Sequence, residues 1–468
     1  MWTLSYRLNR AASGLQYRVR RRFSRAGLFA LGLLVIATAL GADTNQTLAY
    51  QVSCFVAALL AVAMCAAALA RPRIDIERQL PPLVSAGQPF AYTVRLRNRG
   101  GAIDGLSLLE LPADARPAFA EFRSALRFPS YRGYWRLTRA RTVADIDETR
   151  LPALPRDAMA EVQVRGMAWR RGVLHLEAPL LAAADPTGLV RALVRTGEPG
   201  NTVVLPRRYA LPPIAFPGSR KYQQGGVSLA SSVGESEEFM SLREYRPGDP
   251  LARVHWKSFA RAGKPVVMEF QDEFFERYAL VLDNFAAPQE RAFASEARAR
   301  VSEQRARAFE EAVSIAASFA CHIDTQESLL DLLFAGPETY CYTAGRGQLQ
   351  PAALLEVLAG VQLCRGPSPD SRSADSQPAA LQPLDSLRQA LLQRRGALSG
   401  CVLVLIDWDE PRRELLRRLR ESGMALLVLL VSEEPVASPP PWLHLLVPGK
   451  IEAGLAQLGR RSPDAPRA

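Results

Sequence analysis

The sequence predicts three parts in order: a transmembrane helical hairpin, a β-sandwich, and an α/β domain with a doubly wound parallel sheet. Two long apolar runs near the amino terminus predict the hairpin. Short runs of alternating polarity then predict an all-β domain, and apolar runs alternating with helical patterns predict parallel strands joined by helices. A chain of 468 residues is too long for a single core, which agrees with several domains.

The hairpin is predicted over residues 26–70. Residues 26–42 form an apolar run of 17 residues, near the lower limit for crossing a bilayer, and residues 49–70 form a run of 22, which satisfies that limit. A cleaved signal peptide is the alternative for the first run. The second run follows after only six residues, which favours two spans.

The charge distribution predicts the topology of this hairpin. Residues 1–25 contain seven arginines and no acidic residue, and the first 73 residues carry a formal charge of +8 against +3 for the remaining 395. Arg71, Arg73 and Arg78 follow the second run, whereas the loop between the runs has no basic residue. The positive-inside rule therefore predicts two spans with both termini in the cytoplasm.

Residues 1–25 are predicted to form a basic cytoplasmic lead. Two interpretations remain open: the lead lies on the anionic inner leaflet, or it is disordered. In either case the basic charge belongs to the membrane flank. We therefore expect no nucleic-acid partner.

Residues 74–205 are predicted to form the β-sandwich-like domain. Segments such as PFAYTVRLRN and GVLHLEAPLL alternate in polarity and are separated by Pro, Gly and Asn. The turn Asp185-Pro-Thr-Gly is expected to close this domain. His175 lies alone in an alternating strand, so we assign it no role.

The α/β domain is predicted over residues 276–460. Its predicted strands cover residues 278–282, 329–334, 401–406 and 424–431, and its predicted helices cover residues 306–320, 349–363, 384–395 and 412–421. The runs CVLVLI and ALLVLLV are apolar throughout, which is typical of parallel strands buried on both faces. Residues 365–380 are predicted to be a disordered insertion.

Residues 206–275 connect these domains, and within them residues 233–275, here called the signature segment, are densest in charge, aromatics and turn residues. Residues 247–250 are Pro-Gly-Asp-Pro and predict a turn. The positions that follow at helical spacing are Leu251, Val254, Ser258 and Phe259. Gly263 then ends the helix, and residues 266–271 alternate as a half-buried strand does.

The stretch GDPLARVHWKSFARAGKPVVMEF, residues 248–270, resembles the signature of the bacterial domain-of-unknown-function 58 family. The positions that match the family's motif are Glu235, Glu238, Arg243, Tyr245, Gly248, Asp249, Val254, Trp256, Lys257 and Glu269. Residues 171–192 also resemble the family's stretch before this motif.

The resemblance implies a β-rich region joined to a domain like von Willebrand factor A. The two apolar runs and the asymmetry of the arginines predict the bacterial inner membrane as the location. The partners that the resemblance implies are an AAA+ ATPase of the MoxR type and other membrane-anchored proteins with a von Willebrand factor A-like domain.

A von Willebrand factor A-like domain binds Mg²⁺ with Asp-x-Ser-x-Ser at the end of its first strand. This sequence has Asp283-Asn284-Phe285-Ala286-Ala287 at that place, so both hydroxyl ligands are missing. Asp407 and Asp409 are further carboxylates near a strand end. We expect a degenerate site at Asp283 with no metal and no cofactor, in which the carboxylate caps a neighbouring turn or helix.

Two functions are compatible with these residues. The favoured one is a membrane-anchored, non-catalytic adaptor with a cytosolic docking surface, working with the ATPase in protein assembly or envelope maintenance. Its interaction residues are the motif positions and Arg253, whose mixed charges suit hydrogen-bonded contacts, with Trp256 as the apolar anchor. The same segment could instead only join the two soluble domains.

The alternative is a metal-dependent phosphodiester hydrolase that uses Asp249 and Glu269. Gln271 stands where a nuclease of the Asp/Glu-x-Lys type needs lysine, and a soluble part with a charge of only +3 is poorly suited to nucleic acid. Lys257-Ser258 lacks the glycines of a phosphate loop. We therefore expect no enzymatic activity.

Overall fold

The computed structural model describes residues 2–40, 47–70, 72–126, 128–214, 221–222, 239–247, 251, 254–270, 274–286, 295–323, 328–335, 339–345, 350–365, 383–436 and 438–458. The chain divides into two compact units. The first comprises residues 1–207 with 293–300, and the second comprises residues 208–292 with 301–468. The predicted combination of an apolar amino-terminal helix with sheet domains is confirmed.

The first unit combines helices with sheets that are antiparallel except for one parallel pair of strands. Its helices are α1 (Trp2–Arg22), α2 (Arg25–Leu40), α3 (Thr47–Leu69), α4 (Phe119–Ala125) and α5 (Tyr131–Arg141). Its strands are β1 (Ile74–Gln79), β2 (Leu83–Ser85), β3 (Pro89–Asn98), β4 (Leu106–Leu109), β5 (Ala144–Ile146), β6 (Thr149–Arg150), β7 (Met159–Ala168), β8 (Gly172–Leu176), β9 (Leu180–Ala184), β10 (Arg191–Arg195) and β11 (Gly200–Leu205).

The helices α2 and α3 pack against each other, and both are apolar. Within α3, Leu48–Leu69 is long and apolar enough to cross a membrane. The 16 residues of α2 extend only about 24 Å at 1.5 Å per residue, which is short of the hydrocarbon thickness of a bilayer. Among the described helices, one therefore meets the length needed for a span.

Two antiparallel sheets of the first unit share one apolar core. One has the strand order β1-β3-β7-β5 and the other β10-β9-β4-β6. Val94, Leu108 and Leu181, one from each of three strands, are fully buried in this core. The strands alternate between buried and exposed residues because successive side chains point to opposite faces of a sheet. A third sheet has the order β2-β11-β8, in which β2 and β11 are the parallel pair.

The segment between β4 and β5 is helical, which the sequence did not predict. The helices α4 and α5 lie there, and α1 packs on them through an aromatic cluster. Tyr6 lies 5.6 Å from Phe122 and 6.4 Å from Tyr134 between ring centroids, and both partners are fully buried. The interpretation of the lead as disordered is therefore wrong for residues 2–22, since buried aromatic contacts hold them as a helix.

The start of α2 is attached to the β9–β10 turn. The Ser24 amide donates to the Leu189 carbonyl at 3.0 Å, and the Ser24 hydroxyl accepts from the Gly27 amide at the same distance. A Cβ atom at Gly27 would lie 2.0 Å from the Leu189 carbonyl oxygen. The absence of a side chain at Gly27 therefore permits this close contact between α2 and the turn. Within the same turn, which the sequence predicted, the Asp185 carboxylate accepts from the amides of Thr187 and Val190.

The second unit is built on one large mixed sheet. Its helices are α6 (Trp256–Ala262), α7 (Ser295–His322), α8 (Pro351–Gly360), α9 (Pro383–Arg394), α10 (Glu410–Glu421) and α11 (Ile451–Leu458). Its strands are β12 (Lys221–Tyr222), β13 (Phe239–Glu244), β14 (Val266–Phe270), β15 (Phe274–Leu282), β16 (Phe285–Ala286), β17 (Ser328–Phe334), β18 (Tyr340–Ala344), β19 (Cys364–Arg365), β20 (Gly400–Leu405), β21 (Leu426–Val431) and β22 (Leu443–Leu446).

The order of the large sheet is β18-β17-β15-β20-β21-β22. The strands from β17 to β22 in this order are parallel, and the chain moves from β15 first to β17 and later to β20 on the other side. Ala279 and Val281 face the core formed with α9 and α10. Leu280 and Leu282 point the opposite way and are also fully buried, so both faces are covered.

The sheet differs from the prediction at its edges. The strand β18 was not predicted and pairs antiparallel with β17, so the sheet is mixed rather than wholly parallel. Residues 335–339 are too few for the crossover that a parallel strand needs, which explains the direction of β18. The strand β22 was also not predicted. Most of the predicted insertion, residues 366–380, lies outside the described residues.

Candidate functional site

The signature segment forms an antiparallel strand pair with a short helix between the strands. The strands β13 and β14 pair with Leu242 opposite Met268 and Arg243 opposite Val267. Val267 is buried, and so is Val254, which forms a bridge to it. The predicted helix and strand are thus both present in this segment.

The ends of α6 are capped as its sequence suggests. His255 lies at the amino-terminal cap, where its Nδ1 accepts from the Ser258 amide at 3.3 Å and lies 2.6 Å from the Ser258 hydroxyl. Gly263 ends the helix with φ of 68°, and its amide donates to the Phe259 carbonyl at 3.0 Å. Glycine adopts this left-handed conformation without strain, which confirms the predicted stop.

The apolar face predicted for this helix is largely exposed. Of its positions, Val254 is buried, whereas Leu251 and Phe259 are exposed. Trp256 is 62% exposed and contacts Phe259 edge to face at 6.1 Å between ring centroids. The helical spacing of Leu251, Val254, Ser258 and Phe259 therefore does not mark one buried face, and α6 contacts β14.

Basic side chains accompany these exposed aromatics. Lys257 and Arg261 are exposed on α6 itself. We call Leu251, Trp256, Lys257, Phe259 and Arg261 the signature surface. Its chemistry combines aromatic rings in edge-to-face contact with cationic groups, which is the composition of many protein-binding hot spots.

The other candidate residues of the motif hold the strand pair or lie outside the described residues. The Tyr245 amide donates to the Pro265 carbonyl at 2.9 Å, and an Arg243 guanidinium donates to the Glu244 carbonyl at 3.2 Å. Glu269 lies in β14 opposite Ser241. Outside the described residues lie Glu235, Glu238, Gly248, Asp249 and Arg253. The pairing of Asp249 with Glu269 in a hydrolase therefore stays a prediction.

Asp283 lies at the carboxyl end of β15, the central first strand of the large sheet. Its carboxylate accepts from the amides of Phe285 and Ile406, each at 3.1 Å. It also accepts two bonds from the Arg412 guanidinium, at 2.6 Å from Nε and 3.0 Å from Nη2. Four donors thus satisfy the two carboxylate oxygens, and the group serves as a structural acceptor at the strand end.

Arg412 is fully buried, which is exceptional for a guanidinium. Besides its bonds to Asp283, its Nη1 binds the Asp409 carboxylate at 2.5 Å, and its Nη2 donates to the Phe285 carbonyl. Burial alone would lower the pKa of Arg412, but the charge and hydrogen bonds of Asp283 raise it above its ordinary value. The cation at this strand end is an arginine of the chain itself.

The nearby carboxylates are also bound by arginines. Asp409 caps the amino terminus of α10 by accepting from the Arg412 amide at 3.2 Å. Asp407 binds Arg305 at 2.6 Å. Among the described residues, no group of three His, Cys, Asp or Glu side chains is placed to hold a metal ion. A divalent cation at Asp283 would have to displace a buried guanidinium.

Sequence reasoning missed Arg412 and the role of Asn284. The Asn284 amide group donates to the carbonyls of Ala335 and Gln362, at 2.7 and 3.0 Å, and accepts from the Ala335 amide at 2.9 Å. Asp283 and Asn284 therefore tie β15 to neighbours on its two sides. Arg412 is 129 residues away from Asp283, and no local pattern signals such a contact.

A cavity of about 580 Å³ opens beside Asn284, near the carboxyl ends of β15 and β17. Phe334, Tyr340 and Tyr342 line one side, with Phe334 and Tyr342 stacked at 6.0 Å, and Glu356 lines another. Among the described residues that line the cavity, none is basic. The cavity is therefore poorly suited to a phosphate group.

Comparison with known proteins matches a segment that contains both the signature surface and the ion pair of Asp283 with Arg412. The family described as "Protein of unknown function DUF58" matches residues 241–433. Residues 241–433 therefore confirm the predicted resemblance to the DUF58 family. The DUF58 match begins within β13 and ends two residues after β21, so it includes Trp256, Asp283 and Arg412.

A similar protein is the "Uncharacterized protein YeaD" of Bacillus subtilis (strain 168), which is 24% identical over 208 residues. That alignment covers 44% of this chain and 46% of YeaD, so it spans less than half of the relative. A solved structure of E. coli alpha-2-macroglobulin is 10% identical over 36% of this chain and 9% of that chain. Its TM-score of 0.18 is too low to support an argument about the fold.

Proposed function

We propose that this protein is a membrane-anchored, non-catalytic adaptor whose signature surface docks on a MoxR-type AAA+ ATPase in protein assembly or envelope maintenance. One observation carries the proposal: Trp256 is 62% exposed beside exposed Phe259, on the segment that bears the family motif. Tryptophan dominates the energetics of many interfaces, and adjoining exposed apolar groups mark sites of association.

The strand-end site supports a non-catalytic role. Asp283, which corresponds to the metal ligand of a von Willebrand factor A-like domain, is saturated by Arg412 and two backbone amides. The carboxylates Asp407 and Asp409 are paired with arginines as well. A carboxylate already held by an arginine would have to give up that ion pair before it could bind a metal ion or take part in catalysis.

The doubly wound order of the sheet and the place of Asp283 after its central first strand favour a von Willebrand factor A-like fold for the second unit. Proteins that share this domain and are anchored in the same membrane are proposed as further partners. The proposal draws on fold-level similarity for these partners and on the signature surface for the ATPase.

The proposed anchor consists of α2 and α3 in the bacterial inner membrane, with both termini in the cytoplasm. Support comes from the apolar side chains that both helices expose, including Phe29, Ile36, Phe55 and Val62. The arginines that flank both ends of the pair favour this topology. Local thinning of the bilayer would accommodate the shorter α2.

A binding measurement tests the adaptor role. The full chain is reconstituted in nanodiscs and titrated with the purified MoxR-type ATPase from the same organism, in the presence of a non-hydrolysable nucleotide. We expect Trp256→Ala to weaken binding at least about 30-fold, as removal of a hot-spot residue worth 2 kcal/mol does.

The matched control is Trp169→Ala, which removes an equally large, exposed tryptophan from the first unit. It should leave the affinity unchanged. Equal binding by wild-type protein and Trp256→Ala would refute the proposed docking surface. Phosphodiester hydrolysis by wild-type protein that Glu269→Ala abolishes would replace the adaptor with the hydrolase.

A topology measurement tests the anchor. We expect the full chain to remain in membranes washed with alkaline carbonate, because two apolar helices are removed from lipid only at high cost. A reporter fused to the carboxyl terminus should be active in the cytoplasm. Activity only on the other side of the membrane would overturn the two-span topology.

A further inference from the structure

The helix α1 has two different faces. One face packs on α4 and α5: the Trp2 ring lies 5.9 Å from Phe122, and the Tyr6 hydroxyl donates to the Pro117 carbonyl at 3.1 Å. A second face presents a stripe of leucines, which are Leu4, Leu8 and Leu15. These leucines are 61–64% exposed. Their spacing of four and seven residues places them on one side of the helix.

Exposed aromatics of α5 lie next to α1. The Tyr131 hydroxyl donates to Gln16 Oε1 at 2.8 Å, so this end of α5 lies against α1. Tyr131 contacts Trp135 edge to face at 6.1 Å, and both side chains are more than one third exposed. Tyrosine and tryptophan are enriched where proteins meet the interface between lipid and water.

The charged side chains of α1 and α5 are all positive. The helix α1 contains six arginines and α5 contains four, and neither contains an acidic residue. The nearby acids Asp114 and Glu121 are already paired with Arg116 and Arg141. The two helices therefore carry an excess of positive charge that is suited to an anionic surface.

The position in the chain adds an independent argument. Only Phe23 and Ser24 separate α1 from the apolar α2, and Ser24 caps the start of α2. Leucines, interfacial aromatics and arginines therefore meet at the end of the proposed membrane anchor. This composition is that of amphipathic helices that lie in the headgroup region of a bilayer.

We propose that Leu4, Leu8, Leu15, Tyr131 and Trp135, with the arginines of α1 and α5, form a surface that binds the anionic phospholipids of the membrane in which α2 and α3 are anchored. The leucines enter the headgroup region, and the arginines bind phosphate groups. This inference rests on the membrane anchor of the proposed function. Its consequence is that the first unit is held against the bilayer by a second contact beside the spanning helices.

The test is quenching of tryptophan fluorescence by brominated phospholipids in vesicles that contain the full chain. Neither α2 nor α3 contains a tryptophan, so quenching by lipid does not arise from the anchor. In vesicles with brominated phosphatidylglycerol we expect strong quenching that Trp135→Phe largely removes. Trp169→Phe, which alters an exposed tryptophan elsewhere in the first unit, should leave the quenched fraction unchanged.

A second pair of variants isolates the leucine face. Leu8→Asp should reduce the quenching, whereas Met159→Asp, at a similarly exposed apolar residue of β7, should not. Vesicles of phosphatidylcholine alone should quench less, since the arginines then lack anionic partners. Circular dichroism confirms that the variants remain folded.

The outcomes separate this inference from the anchor. If the protein does not float with the vesicles, the anchor itself is wrong. If the protein floats but Trp135 is not quenched, only the lipid-binding surface is refuted. Equal quenching in neutral and anionic vesicles would refute the role of the arginines, and binding of this surface to RNA in competition with the vesicles would assign it to nucleic acid instead.

Discussion

Asp283 and Trp256 lie in the same unit and were both candidates for function, yet the structure treats them in opposite ways. Asp283 is buried and accepts four hydrogen bonds, including two from the fully buried Arg412. Trp256 is largely exposed and contacts one other exposed ring. Asp283, which the sequence marked as a possible metal ligand, is fully engaged in contacts within the fold. Trp256, a residue type that is usually buried, is exposed on the surface.

The same contrast occurs in the first unit. Gly27 lies in close contact with the Leu189 carbonyl, whereas the leucines of α1 face outward. Contacts that are already satisfied contribute to stability, and exposed apolar groups contribute to association. Substitutions in the two classes should therefore affect different measurements.

The largest effect on stability is expected for Asp283→Ala. Removing the carboxylate leaves the buried Arg412 guanidinium without its main partner, which should cost about 3–5 kcal/mol of the free energy of unfolding. Denaturant titration of the full chain in detergent measures this loss. The control Asp407→Ala removes a partly exposed partner of Arg305 and should cost about 1 kcal/mol or less.

Combining Asp283→Leu with Arg412→Met should restore much of this loss, because apolar groups of similar size replace both charges. Equal losses for Asp283→Ala and Asp407→Ala would contradict the buried ion pair. Tight binding of Mg²⁺ that depends on Asp283 would contradict it as well.

A smaller loss is expected for Gly27→Ala. The added Cβ atom would lie 2.0 Å from the Leu189 carbonyl oxygen, so α2 or the turn must move, at about 1–3 kcal/mol. The shift of the thermal unfolding midpoint measures this. In the same helix, Gly32→Ala meets nothing within 4 Å and should be neutral or slightly stabilising. Equal thermal unfolding midpoints for Gly27→Ala and Gly32→Ala would show that the contact at Gly27 is loose.

The ionisation of Asp185 should make the stability of the protein depend on pH. Burial raises the pKa of this carboxyl group, but hydrogen bonds from Thr187 and Val190 outweigh burial and lower it below its ordinary value. Its contribution is therefore present above about pH 4, the pKa of an unfolded aspartate, and is lost as the pH falls further.

Asp185→Asn should lower the free energy of unfolding by about 1 kcal/mol at neutral pH. The variant should also lose less stability than the wild type when the pH falls below about 4. Unfolding curves between about pH 3 and 7 provide the measurement. The exposed Asp157 provides the control, and Asp157→Asn should follow the wild type at each pH. A wild-type stability that rises in acid would show the opposite sign of the pKa shift.

The smallest effect on stability is expected for Trp256→Ala. An exposed side chain can be truncated at a cost within about 0.5 kcal/mol, although the same change should weaken docking at least about 30-fold. The comparison is Val267→Ala, which removes two buried methyl groups and should cost about 2 kcal/mol in the same denaturant titration. A loss of 3 kcal/mol or more for Trp256→Ala would place this ring in a core.

Local patterns were sufficient for three regular elements of the second unit, which are β20, β21 and α10. The apolar runs at β20 and β21 and the amphipathic pattern of α10 agree with the structure to within two residues at each end. Strands with a buried run and helices with a 3.6-residue period have strong signals of their own. The short β18 and β22 lack such signals, and pairing with the sheet determines them.

The helical insertion of the first unit was missed for a related reason. The sequence of α5 is rich in arginine and contains Gly133, which is unfavourable in a helix. The buried ring of Tyr134 packs on Phe122 and Tyr6, and these contacts across the chain stabilise the helix. Tertiary packing commonly outweighs a weak local preference.

The sequence by itself determined the apolar helix near the amino terminus, the succession of strands and helices, the family motif and the loss of both serine ligands after Asp283. These properties can be predicted because each depends on residues that are close together in the sequence. The tertiary structure alone decided that Arg412 takes the place of a cation at Asp283 and that Trp256 is exposed. A contact across 129 residues and the burial of a side chain both depend on which surfaces the folded chain brings together.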